Sequence, residues 1–289
     1  MRVALYGRNI STKSFKKFFQ NFRDELTQRD ISYVAIKSYG DFLKNTYKID
    51  CEVVEELSSN FDCLISLGGD GTMLDTLSIV KESGIPVMGI NLGRLGFLAN
   101  IKIEEVQEAL DSLIQKNYVI EKRQLLQIES NNDEINRFPF ALNDFVVQKR
   151  DTSAMITVQS ELDDTFLNNY WADGLIVATP TGSSGYSLSC GGPLVFPGSG
   201  AFVITPIAAH NLTVRPAVIP DTKKLKLTLE SRSKHVLVTL DSRSFKVASN
   251  TEITIKKAPF AFNMIQVNGK NYMDTIRNKL LWGADNRNQ

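Results

Sequence analysis

The chain has 289 residues, length enough for two hydrophobic cores, and its 43% hydrophobic and 22% charged residues are ordinary for a globular protein. The 33 basic and 32 acidic residues leave a formal net charge of +1, which excludes the basic field that non-specific nucleic-acid binding needs but permits a local phosphate site. No signal-like apolar core follows the N-terminal MRVALYGRNI, no apolar run reaches bilayer length, and Cys51, Cys63 and Cys190 fall at no metal-ligand spacing, so the expectation is a cytoplasmic protein, off the membrane, with cysteines that are small buried hydrophobes.

In chain order, Arg2–Tyr6 reads as an apolar strand and Ser11–Gln28 as an amphipathic helix, with Phe15, Phe18, Phe19, Phe22 and Leu26 at threes and fours. Tyr33–Ile36 and Cys63–Leu67 read as strands, the latter running into GGDGT. Thr72–Glu82 reads as a helix, Pro86–Ile90 as a strand and Ile103–Lys116 as a helix. Alternating strands and helices imply a parallel, doubly wound sheet over residues 1–120. From Val119–Arg123 the texture changes to β-branched and aromatic runs: Leu125–Glu129, Ala141–Gln148, Met155–Gln159, Gly174–Ala178, Leu225–Leu229, Val236–Leu240 and Glu252–Lys256. These predict a largely antiparallel all-β domain over residues 121–268. A last helix, Tyr272–Trp282, is expected to return to the first domain, so that 269–289 completes it, with a frayed tail at Ala284–Gln289.

Gly68-Gly69-Asp70-Gly71-Thr72 joins a buried strand to a helix. Glycines let backbone N–H groups approach phosphate oxygens, and a helix N-terminus adds partial positive charge. A carboxylate would repel such a ligand, so Asp70 calls for another role: taking a proton from an attacking hydroxyl or holding a magnesium ion. The plain alternative is a tight turn in which Asp70 caps the helix. Neither the Walker A pattern nor G-x-G-x-x-G occurs. A second glycine loop, Asn91-Leu-Gly-Arg94-Leu-Gly-Phe97, follows the next strand; Phe97 could stack on a base or pack in the core. Asn143-Asp144 pairs an amide with a carboxylate, suited to ribose hydroxyls if the strand ends or bends there. The hydroxyl- and glycine-rich segment 173–193 holds Asp173, Ser184, Gly185, Tyr186 and Ser189. A serine hydrolase is disfavoured because only His210 and His235 could serve as base and no G-x-S-x-G elbow is present; His210 reads more readily as structural.

Together these motifs resemble the NAD kinase family. The resemblance rests on GGDGT at 68–72, NLGRLGFLA at 91–99, Asn143-Asp144, DGLIVATPTGSSGYSLSCGGP at 173–193, the stretch from His210 to Pro216, and RNKLLWG from Arg277. GGDGT also occurs in diacylglycerol kinases and is similar to the phosphofructokinase signature; the 173–193 segment discriminates. The resemblance implies transfer of the γ-phosphate of ATP to the 2′-hydroxyl of the adenosine ribose of NAD, with a divalent cation, normally Mg2+. It implies that Asp70 is the catalytic residue, and that Gly68, Gly69, Gly71 and Thr72 line the phosphate region. Phe97 would lie on the dinucleotide, Asn143 and Asp144 on ribose hydroxyls, and Ser184, Gly185, Tyr186 and Ser189 around the adenosine. Asp173 would reach the nicotinamide end, and Arg94 and His210 are further candidates. A homodimer or homotetramer with sites shared between subunits is implied. Asp144 stands where the family usually has glutamate, Ser184-Gly185-Tyr186 where Thr-Ala-Tyr is common, and Asp241-Ser242 where Asp-Gly is usual. A lipid kinase and a non-catalytic NAD(H) sensor stay open as alternatives.

Overall fold

The computed structural model describes residues 1–150, 155–267 and 271–281. The chain forms two compact units, one of Met1–Glu121 with Asn263–Gln289 and one of Lys122–Phe262.

The first unit begins with β1 (Arg2–Gly7) and α1 (Lys13–Gln28). Thr12 caps α1, its hydroxyl accepting from the Phe15 N–H at 3.2 Å. Phe15, Phe19, Phe22 and Leu26 form its buried face, as the spacing predicts. β2 (Ser32–Ile36) runs straight into α2 (Lys37–Tyr47), a helix absent from the sequence reading. Its buried stripe, Tyr39, Leu43 and Tyr47, repeats every four residues, but no turn residue separates it from β2 and Gly40 interrupts it. β3 (Val53–Val54), β4 (Cys63–Leu67), α3 (Asp70–Val80), β5 (Val87–Asn91), β6 (Ile101–Lys102) and α4 (Val106–Ile114) follow. α3 starts two residues before the expected Thr72, which puts Asp70 in its first turn. The strands lie in the order β3-β2-β1-β4-β5, all parallel. The order reverses between β1 and β4, and open α/β sheets bind ligands outside the carboxyl ends of the strands at such a point. Leu5, Ile65, Leu67, Met88 and Ile90 pack with the α1 and α4 faces into one core.

β7 (Tyr118–Ser130) carries the chain into the second unit. There α5 (Asp133–Asn136), β8 (Phe140–Ala141), β9 (Asp144–Gln148), β10 (Ile156–Leu162), β11 (Thr165–Ala172) and β12 (Gly174–Ala178) are followed by the short α6 (Tyr186–Ser189). β13 (Ala201–Ile207), β14 (Ala217–Pro220), β15 (Leu225–Ser231), β16 (His235–Leu240), β17 (Arg243–Ala248) and β18 (Glu252–Val267) complete it. One antiparallel sheet has the order β14-β13-β12-β9-β16-β17; in another, β11-β10-β15-β18 pair antiparallel. Alternate residues of the two sheets, such as Val158, Leu227 and Ile253 with Val147, Val177 and Val238, bury one core. β12 is buried throughout, with Ile176 and Ala178 packed in a second, smaller cluster, which explains its continuous apolar run.

After β18 the helix α7 (Tyr272–Leu280) belongs to the first unit. Trp282, Gly283 and the tail 284–289 lie outside the described residues. Cys63 is buried as expected, but Cys51 and Cys190 are only half-buried. Among the described residues no helix is long and apolar enough to cross a membrane.

Candidate functional site

In the first unit the GGDGT turn leaves the carboxyl end of β4. Asp70 does not cap its own helix: the cap residue is Gly69, and no side chain caps there. Its half-buried carboxylate reaches instead to the second glycine loop. Asp70 Oδ2 accepts from the Phe97 N–H at 2.8 Å, and Oδ1 accepts from the Leu98 and Ala99 N–H groups at 3.0 and 3.1 Å. A carboxylate offers about four lone-pair directions. Among the described residues three are occupied by protein, and the one left is on Oδ2. The loop is braced from within: Asn91 Oδ1 accepts from the Gly93 N–H at 2.8 Å, and its Nδ2 donates to the Ala99 carbonyl at 3.2 Å. GGDGT and NLGRLGF, separate in sequence, are one hydrogen-bonded structure.

Thr72 is buried beside Gly68, whereas Gly69 and Arg94 are exposed. The Phe97 ring is half-buried, 6.4 Å from the Tyr272 ring, with Lys279 Nζ 5.0 Å from its centre. Sequence reasoning missed Arg8, which follows β1 at the same sheet edge. Its Nη2 donates to the Gly71 carbonyl at 3.1 Å and its Nε to Asp75 at 2.8 Å. Half of its side chain stays exposed, and its ion pair with Asp75 fixes the guanidinium beside the glycine turn. The available signal was its place directly after a strand that ends at the switch point.

In the second unit the chain bends between β8 and β9, so Asn143 and Asp144 lie at a strand end, the condition under which both can face one ligand. Asp144 is buried, and its carboxyl is pushed up to about 7, first by burial and then by the neighbouring Asp241. Asn143 Oδ1 is buried and accepts no hydrogen bond among the described residues, an open acceptor worth about 1–3 kcal/mol when satisfied. The 173–193 segment folds as β12, a tight turn and α6. Ser183 Oγ donates to the Pro180 carbonyl at 2.7 Å, Ser184 Oγ to the Thr181 carbonyl at 3.2 Å, and Ser187 shares a hydrogen bond of 2.8 Å with Thr205. Tyr186 is exposed, its hydroxyl accepting from Gln148 Nε2 at 2.7 Å; Gly185 and Ser189 are exposed beside it. Asp173 is ion-paired with Lys149 at 2.6 Å. His210 is exposed, its ring 5.0 Å from that of Trp171.

A parallel α/β sheet with a carboxylate-bearing glycine turn at its switch point, joined in one chain to an antiparallel β unit with an amide–carboxylate bend, describes a phosphotransferase acting on a nucleotide. Residues 9–118 match the ATP-NAD kinase N-terminal domain and residues 142–267 the ATP-NAD kinase C-terminal domain. The NAD kinase of Flavobacterium psychrophilum is 43% identical and that of Cytophaga hutchinsonii 40% identical, each aligned over 100% of both chains. The chain belongs to the NAD kinase family, whose enzymes are phosphotransferases with an alcohol group as acceptor. Among solved structures, an NAD kinase from Archaeoglobus fulgidus in complex with ATP superposes with a TM-score of 0.75 at 26% identity, covering 97% of this chain and 99% of that one. Yeast NADH kinase complexed with NADH gives 0.85 over 99% of this chain and 88% of that one, at 20% identity, a likeness of fold.

Proposed function

We propose that this chain transfers the γ-phosphate of ATP to the 2′-hydroxyl of the adenosine ribose of NAD, giving NADP and ADP, and that Asp70 receives the hydroxyl's hydrogen bond. The observation that carries this assignment is the clamp on Asp70: three backbone donors fix the carboxylate and leave one acceptor direction, on Oδ2. A hydroxyl donating there is oriented for in-line attack, and positioning carries much of the barrier reduction in phosphoryl transfer. As the new phosphorus–oxygen bond forms, the hydroxyl proton passes to Oδ2 and the bond to the ADP oxygen breaks. Gly68, Gly69, Gly71 and Thr72 line the phosphate region at the N-terminus of α3; the Gly68 and Thr72 N–H groups already donate to the Ile90 and Gly69 carbonyls, so Gly69 and Gly71 offer the donors to phosphate oxygens, beside the Arg8 guanidinium held by Asp75. Phe97 lies on the dinucleotide. Asn143 and Asp144 hold ribose hydroxyls, with Asn143 Oδ1 gaining the partner that it lacks. Ser184, Gly185, Tyr186 and Ser189 surround the adenosine, and Asp173 meets the nicotinamide end.

Among the described residues no three His, Cys, Asp or Glu side chains gather to cage a metal. A divalent cation, Mg2+ by its hardness, would arrive with the triphosphate and keep phosphate and water ligands. Its chemistry would be neutralisation of phosphate charge, with Asp70 the carboxylate nearest the glycine turn. A homodimer or homotetramer is supported by Phe166 and Trp171, large side chains exposed on the edge strand β11. The sparse free cysteines support a reducing, cytoplasmic setting.

A coupled assay for NADP formation tests the reaction, run with NAD or NADH as acceptor and ATP or polyphosphate as donor. NADP formation from NAD and ATP, abolished by EDTA and restored by Mg2+, is expected. Absence of NADP at high enzyme concentration would overturn the assignment.

A further inference from the structure

The bend that carries Asn143 and Asp144 is held by Asp241, which the sequence marked only because Asp241-Ser242 stands where the family usually has Asp-Gly. Asp241 sits between β16 and β17, about a hundred residues downstream. Its Oδ2 accepts from the Leu142 N–H at 2.8 Å, and its Oδ1 from the Asn143 and Asp144 N–H groups at 2.7 and 3.2 Å. Its own N–H donates to the Asp144 carbonyl at 3.0 Å. Thr179 closes the other side: its hydroxyl donates to the Leu142 carbonyl at 2.6 Å and its N–H to the Asn143 carbonyl at 2.8 Å. All six backbone polar groups of Leu142, Asn143 and Asp144 are thus satisfied by Asp241 and Thr179 alone. Asp241 adopts φ +52°, a left-handed conformation that asparagine and aspartate tolerate better than most residues. Arg243, two residues on, donates to the Phe138 carbonyl at 2.6 Å and to the Phe140 carbonyl, so the segment entering the bend is held from the same hairpin.

Such an arrangement exceeds what a plain strand crossing needs. Strand pairing alone would satisfy alternate backbone groups, whereas here a charged acceptor collects three consecutive N–H groups. Three consecutive donors converging on one carboxylate force a turn, and the turn is what brings two adjacent side chains to one side.

We propose that Asp241 is the positioning residue for the acceptor nucleotide: it shapes the Asn143-Asp144 bend for the ribose without touching the ligand. The proposal rests on the placement of the NAD ribose at Asn143 and Asp144 given above. It makes Asp241 the counterpart of Asp70, since each gathers three consecutive backbone N–H groups of a loop in its own unit. Asp70 keeps an acceptor direction for substrate; Asp241 spends its charge on the bend.

The test is Asp241→Asn, which keeps the shape but turns an acceptor into a donor facing an N–H. KM for NAD should rise at least ~10-fold, the scale of a misplaced binding group, while KM for ATP and kcat stay within about 3-fold. Asn143→Ala should raise KM for NAD by itself, and the double variant should be no worse than about 2-fold beyond the weaker single, because both act through one bend. An unchanged KM for NAD in a folded Asp241→Asn enzyme, with Asn143→Ala impaired, overturns the role of Asp241. An unchanged KM in Asn143→Ala overturns the ribose placement beneath it. Should Asp241→Asn not fold, Thr179→Val loosens the same bend from the other side: a rise of about 3-fold or more in KM for NAD alone supports the proposal, and an unchanged value overturns it.

Discussion

Gly96 lies against the carboxylate of Asp70 so closely that a Cβ on Gly96 would stand 1.8 Å from Asp70 Oδ1. The two loops are fitted around that carboxylate, and any side chain at 96 must move it. Gly96→Ala is expected to lower kcat/KM by ~10²-fold, the cost of about an ångström of misplacement, and stability by about 1–3 kcal/mol. Steady-state kinetics and denaturant melts check both; full activity would show that the carboxylate's position is not critical.

A similar contact exists in the second unit, where a Cβ on Gly182 would stand 2.1 Å from the Asn143 carbonyl oxygen. Gly182→Ala must displace the bend. The expected result is a KM for NAD raised by ~10-fold or more with KM for ATP little changed. Equal effects on both substrates would contradict a ribose role for that bend.

Asp144 makes stability depend on pH. Its folded pKa, about 7, lies above its unfolded value, so between about pH 4 and 7 the folded chain holds a proton that the unfolded chain has released. Its contribution is therefore fully present at low pH and is lost as pH rises through 7, by up to about 4 kcal/mol. Asp144→Asn should flatten this slope and be the more stable protein at pH 8. Urea unfolding of both proteins at pH 5.5 and 8 reads the difference; parallel slopes would contradict it.

The cysteines should be slow to react. Burial pushes the Cys63 thiol up to about 12, and burial also raises Cys51 and Cys190. Alkylation at pH 8 followed by mass spectrometry should leave Cys63 unmodified in the native protein and modify all three cysteines in urea. Native modification of Cys63 would contradict its burial.

Much of the fold was legible because its strongest elements are locally consistent. Cys63–Leu67 and Gly174–Ala178 are continuous apolar runs ended by turn residues, and the strands have those bounds. β11 was hidden because its Phe166 and Trp171 face outward beside polar residues, so its pattern has no clean alternation. β17, RSFKVA, is hidden for another reason: it alternates, with Phe245 and Val247 toward the core, but is short and largely polar. At the site, Asp70 and the Asn143-Asp144 pair stood out as polar residues in apolar or glycine-rich surroundings. The groups that hold them did not. The Phe97, Leu98 and Ala99 partners of Asp70 are backbone N–H groups, which every non-proline residue carries and no sequence pattern marks. Asp241 is about a hundred residues from the bend that it shapes, and Arg8 is more than sixty from Gly71. Only tertiary structure brings such partners together.

The central claim is that the clamped carboxylate of Asp70 takes the acceptor's proton. Asp70→Asn keeps an acceptor oxygen for Leu98 and Ala99 but presents an amide to the Phe97 N–H and to the substrate hydroxyl. Turnover in the NADP-forming assay, measured beside the NAD dissociation constant of the same variant, is the direct test. The expected result is turnover reduced by ~10²-fold or more with NAD binding within about 3-fold of the parent. Near-normal turnover would contradict the claim.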